Sequence, residues 1–152
     1  RVYFLPNPNA EPMVFDDCEL SSHLSDYIGG EDISWIAVYK HELYGWQLTT
    51  SLLYHAFIVF ETKGWWWSIE KDDKGVTLQR SKNGDDVVNM YLRQRRIYAI
   101  RLEEGSACYP LSMFGKMLYL SDAVGRRFDI WTSGSKDFAS TIFNNVALTK
   151  SW

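Results

Sequence analysis

The sequence predicts a single α+β domain, an antiparallel sheet packed with a few helices. Three observations lead there. Between residues 33 and 102, short apolar or alternating runs recur between clusters of turn-forming residues, as in a succession of strands. Towards the end of the chain, Phe138, Ile142 and Val146 recur at four-residue intervals, which places them on one face of a helix. With 152 residues, 46% of them hydrophobic and 23% charged, the chain suits one domain with a sizeable core.

Residues 1–32 read as an N-terminal arm and a short helix, ahead of a core at 33–147. Val2 to Leu5 followed by Pro6, Pro8 and Pro12 suits an extended arm. Ser21 to Ile28 suits a helix capped by Ser22 and stopped by Gly29 and Gly30. Ile33 to Tyr39 alternates as a strand, and His41 to Ser51 reads as a loop. Leu52 to Glu61 is apolar on both faces, which suggests a central strand. Thr62, Lys63 and Gly64 turn it into Trp65 to Lys71, and residues 72–75 (DDKG) turn that into Val76 to Ser81. Val87 to Arg95 fits either strand or helix, and Ile97 to Leu102 fits a strand. A break at Gly105 and Ser106 precedes a helical pattern over Leu111 to Val124, ended by Gly125. Phe128 to Thr132 is a last short strand, broken by Ser133 and Gly134 before the final helix.

Composition excludes some partners. A net charge of −3 gives no reason to expect nucleic acid, and Arg93, Arg95, Arg96 and Arg101 alternate with apolar residues as on a solvated strand edge. No apolar run reaches the roughly eighteen residues of a membrane span. Cys18 and Cys108 do not form a disulfide framework. The chain opens at Arg1 rather than Met, which suggests a trimmed or processed chain, so the lack of a targeting segment carries no weight. The compartment stays open, with the cytoplasm slightly favoured. No phosphate-cradling glycine loop or metal-ligand spacing is visible, so no cofactor and no metal are expected.

The chemistry-bearing residues lie far apart in the chain. Ser135 stands three residues before Phe138, so its hydroxyl belongs to the inward face of the first helical turn. There the unpaired N–H groups of a helix start create positive potential. An N-cap role for Ser133 or Ser135 is the plain alternative. His23 and His41 read as surface residues, but His55 opens an apolar central strand and needs a hydrogen-bond partner or a cleft. A strand His facing a helix start that carries a Cys or Ser is a nucleophile–base arrangement. A turn at Thr62-Lys63 sets His55 opposite Glu70, and a turn at Lys63-Gly64 sets it opposite Asp72. Either acid would orient the ring, with Glu70 the first choice. Of Trp65, Trp66 and Trp67, alternate residues face opposite ways, so one face serves the core and the other a groove or partner surface.

Two segments carry a family resemblance. Tyr54 to Phe60 (YHAFIVF) resembles the His strand of the circularly permuted papain-like fold, a group that includes the PPPDE peptidases, the lecithin:retinol acyltransferase-like proteins and permuted NlpC-type hydrolases. Phe128 to Ala139 (FDIWTSGSKDFA) resembles that family's late block, which normally ends Asn-Cys-X-X-Phe. The likeness spans roughly residues 33–147. Gly134 stands in place of the family Asn, and Ser135 in place of the catalytic Cys. A thiol with a pKa of about 8.5 can be ionised by a helix start and an imidazole, whereas a hydroxyl cannot. The Ser is then either an introduced inactivating substitution or a natural loss. Cys108 is the only other candidate thiol, but no helix start follows it directly.

The resemblance implies a thiol-hydrolase domain acting on a peptide, isopeptide or related acyl bond of a protein or peptide substrate, a ubiquitin-like protein among the candidates. His55, Ser135 and Glu70 would form its site, with Trp66, Trp67 and Trp131 lining the substrate groove. The alternatives are a lipid acyltransferase or thioesterase of the same fold, and a non-catalytic aromatic module that binds protein or glycan. Oligomeric state is left open.

Overall fold

A computed structural model describes residues 1–27, 31–42, 54–72, 74–90, 99–121 and 134–151. The arm is not a free extension. Its residues form β1 (Val2–Leu5) and β2 (Met13–Phe15), followed by a 3-10 turn at Asp17–Glu19 and helix α1 (Leu20–Tyr27). Ser22 therefore lies inside α1 rather than at its cap. The central strands are β3 (Asp32–Glu42), β4 (Tyr54–Thr62), β5 (Trp65–Asp72) and β6 (Gly75–Ser81). A π-helical turn at Asp86–Met90 follows. Then come β7 (Ile100–Pro110), α2 (Leu111–Leu120), α3 (Gly134–Val146) and β8 (Ala147–Ser151).

The domain is α+β, with one eight-stranded sheet in the order β2-β1-β6-β5-β4-β3-β7-β8. Every neighbouring pair is antiparallel except β1 and β6, which run parallel with Val2 beside Val76. The sheet is thus mixed rather than purely antiparallel, and the arm belongs to it. Backbone and side chain both fasten it: the Val76 amide donates to the Arg1 carbonyl at 3.0 Å, and Arg80 Nε to that of Pro6 at 2.8 Å.

Local turn chemistry accounts for the central hairpins. Thr62 pairs with Trp65, so Lys63 and Gly64 make the turn, and Gly64 takes a φ of 85° that a side chain would strain. At the next bend Asp72 pairs with Gly75, and the Asp72 carboxylate accepts the amide protons of Lys74 and Gly75 at 2.8 and 3.2 Å. Gly105 and Ser106 do not break the chain. β7 is paired on both sides, with Gly105 against Ile36 and Lys150, and it absorbs the irregularity as register shifts. The pairing of β8 with β7 was not expected from sequence.

Alternation along the strands separates two apolar clusters. Ile36, Val38, Ala56, Ile58, Phe60, Trp67 and Ile69 share a core with Leu24 of α1, Phe114 and Leu118 of α2, and Phe138, Ile142 and Phe143 of α3. Phe57, Val59 and Val87 form the second cluster, with Trp35, Tyr39 and Trp66 packed against them. Where α1 and α2 cross, Gly115 is needed for close approach, because a Cβ there would stand 2.8 Å from the Ser21 amide nitrogen. Among the described residues no helix is long and apolar enough to cross a membrane. The expected strand at Phe128–Thr132, residues 43–51 of the expected loop and residues 91–96 fall outside the described residues.

Candidate functional site

The β4–β5 ladder stops at Ile58 and Ile69, although both strands run on to Tyr54 and Asp72. Beyond that point β4 stays paired with β3 and β5 with β6, so the two part as a fork, and the polar residues singled out from sequence gather at it. His55 Nε2 lies 2.7 Å from Glu70 Oε2, and both side chains are largely withdrawn from solvent. With Glu70 ionised, Nε2 carries the bridging proton, and Nδ1 presents a lone pair.

The hairpin register does not deliver this contact directly. The turn is at Lys63-Gly64, the alternative that sets His55 level with Asp72. Asp72 is instead engaged by the Lys74 and Gly75 amides. Glu70, level with Phe57, reaches His55 diagonally across the open fork. Gln79 of β6 backs it, its amide nitrogen 3.5 Å from Glu70 Oε1 and 3.3 Å from Ser68 Oγ. Gln79 is fully buried, and its own Oε1 has no hydrogen-bond partner among the described residues.

Helix α3 lies on the other side of the same strand. Phe138, Ile142 and Val146 are buried as the periodicity requires, and Ser135, the second residue of α3, is 93% withdrawn from solvent, its relative exposure being 7%. Its Oγ accepts the amide proton of Ala56 at 3.2 Å, beyond the end of the β4–β5 ladder. The hydroxyl is thus held by the residue next to His55. Imidazole and hydroxyl approach one point of β4 from different sides, and no hydrogen bond joins them. Ser133 falls outside the described residues.

His41 is the residue that sequence reading misplaced. It belongs to β3, not to a surface loop, and pairs across the ladder with His55. Its ring centroid is 5.0 Å from that of His55 and 6.0 Å from that of Phe57. Ligand atoms of His41, His55 and Glu70 all lie within 4.8 Å of one another. The signal was the even spacing from Trp35 through Tyr39 to His41, which continues one face of the strand. His23, by contrast, belongs to α1 and is stacked on Phe15 with centroids 4.4 Å apart.

The tryptophans divide. Trp67 is fully buried between the rings of Phe4 and Phe60, with its indole N–H donated to Thr62 Oγ1 at 2.9 Å, so it supports the core and lines no groove. Trp66 faces the other way, edge-on to Trp35 at 5.8 Å and half-buried. Trp65 lies under the Arg80 guanidinium at 3.8 Å. Trp131 falls outside the described residues. Neither Cys18 nor Cys108 is in a disulfide, and both are exposed. Burial raises the pKa of Tyr39, whose ring stacks on Phe57 at 5.7 Å; nearby Glu104 adds to that rise, and Arg101 opposes it.

Comparison of the chain with protein-family models, with curated proteins and with solved structures finds no match.

Proposed function

We propose that the fork between β4 and β5 is an acyl-transfer site of the permuted papain-like kind, with Ser135 in the nucleophile's position. What supports the reading is one conjunction: a 2.7 Å His55–Glu70 pair beside a helix-start hydroxyl held by the very next backbone amide. In this reading the hydroxyl or thiol at 135 attacks the carbonyl carbon of a peptide, isopeptide or related acyl group. Because the two side chains lie on different sides of β4, its proton reaches His55 Nδ1 by way of a water at the open end of the strand, and passes on to the departing amine or alcohol as the acyl–enzyme bond forms. Glu70 holds the ring through Nε2 and stabilises the imidazolium. N–H groups at the start of α3 face the developing oxyanion. Protein or peptide substrates are what the family resemblance implies; Trp66 and Trp35 lie opposite Glu61, six residues along β4 from His55, and take no part in the reading. As a serine, position 135 is a weak nucleophile: the helix start favours a thiolate but cannot ionise a hydroxyl. The chain in this form binds its acyl substrate better than it turns it over.

The test is the substitution Ser135→Cys. The introduced thiol should show a depressed pKa by thiolate ultraviolet absorbance, a readout that does not depend on reagent access. A drop of two units would raise iodoacetamide labelling over Cys18 and Cys108 about threefold at pH 7 and about tenfold at pH 6, after allowing for the lower nucleophilicity of a more acidic thiol. Adding His55→Ala should remove most of that gain. An ordinary pKa, unmoved by His55→Ala, would end the acyl-transfer reading.

A further inference from the structure

The fork brings together a donor set of which the acyl-transfer reading uses only His55 and Glu70, and leaves His41 without a role. His41, His55 and Glu70 come from three adjacent strands, β3, β4 and β5, and their ligand atoms lie within 4.8 Å of one another. We infer that this trio is a binding site for a divalent transition-metal ion of the zinc class. Two imidazoles and one carboxylate are the donors such ions take, and three protein ligands leave a coordination position open to an outside ligand.

The geometry is close to what the ion requires. Donors bound at about 2.0–2.1 Å in a tetrahedral site stand roughly 3.4 Å apart, so the 2.7 Å His55–Glu70 contact opens slightly and the others close. Side-chain rotation accomplishes this, because the strands themselves are fixed by ladder pairing, His41 directly against His55. The surroundings suit a ligand set as well. Gln79 donates towards Glu70 Oε1, the oxygen that His55 does not use, in the manner of an outer partner that orients a ligating carboxylate. The buried, unpartnered Oε1 of the same Gln79 amide marks a polar interior beside Glu70. His41 and Glu70 are only partly buried, which gives an ion a way in. On binding, the ion replaces the proton shared by His55 and Glu70, which leaves to solvent.

No role for Ser135 enters this inference, so the two readings fail separately. Residues 41, 55 and 70 match no ligand-spacing motif, so the trio exists only in the folded sheet.

The experiment titrates the full chain with Co²⁺ and Zn²⁺. Expected are one ion per chain, ligand-field absorption of a low-coordinate cobalt site, and displacement of cobalt by zinc. In the unaltered protein, side-chain NMR should show zinc shifting the ring nitrogens of His41 and His55 but not of His23, a result that no misfolded variant can obscure. His41→Ala and Glu70→Gln should each weaken binding by more than the roughly 10–100-fold that loss of an outer-sphere partner causes, and Ser135→Ala should leave it unchanged. Absence of saturable binding would overturn the proposal. So would binding that shifts His23 instead, or that survives His41→Ala.

Discussion

Where α3 lies on the sheet, Ala56, Ile58 and Phe60 meet Phe138 and Ile142, and the strand residues of that core are apolar almost throughout. One step along the same strand, His55 and Phe57 turn to the other side, where aromatic rings share space with His41, Glu70, Ser68 and a buried Gln79. The first side is held by dispersion and removal of apolar surface from water, which tolerate no voids but need no particular orientation. The second side mixes stacking with directional polar contacts, each of which costs free energy when left unmade. Apolar packing is therefore concentrated under the helices, and directional polar contact at the fork.

The sharpest way to break that division is to attack the apolar side first. Trp67→Ala removes a fully buried indole packed between Phe4 and Phe60, and should destabilise the fold by about 3–5 kcal/mol in urea denaturation. A loss under 1 kcal/mol would mean that this core does not dominate. Glu70→Gln keeps the shape of the fork but exchanges a charge-assisted bond for a neutral one. It should cost about 1–2 kcal/mol, and the cost should shrink to the share of the Gln79 contact in a His55→Ala background. An undiminished cost there would assign Glu70's contribution to some other contact.

The smallest effect concerns Tyr39. Its pKa is raised by burial above the ordinary 10.0, so the unfolded chain releases the phenolic proton first. The stabilising share is complete below the unfolded value and is lost as pH climbs through the folded one. Above about pH 10, stability should fall less steeply in Tyr39→Phe than in the parent. Equal slopes would show that the Arg101 charge cancels the burial.

How far these two sides could be read in advance depended on how local the cause was. The turns at Gly64 and Asp72 are written in their own residues, and the inward position of Ser135 follows from its spacing to Phe138. Register was harder. The Glu70–His55 contact was anticipated through a Thr62-Lys63 turn, yet it forms with the turn one residue later, because the strands part before the ladder reaches His55. His41 was hidden for a related reason: its pairing with His55 depends on how far β3 extends, which its own neighbours do not specify. The buried state of Trp67 shows the limit of alternation, which divides the tryptophans between faces without saying which face closes over.

The parallel contact of β1 with β6 carries a consequence for assembly. Arg80 and the Pro6 carbonyl that it holds are separated by 74 positions. A ribosome adding about 5–20 residues per second makes the first strand several seconds before its partner exists. Until the β5–β6 hairpin forms, Val2 and Phe4, both destined for full burial, have no groove to enter. Ordering that strand therefore comes late, after a long loop has closed, and adds the slow non-local contact that delays folding in sheet-rich domains.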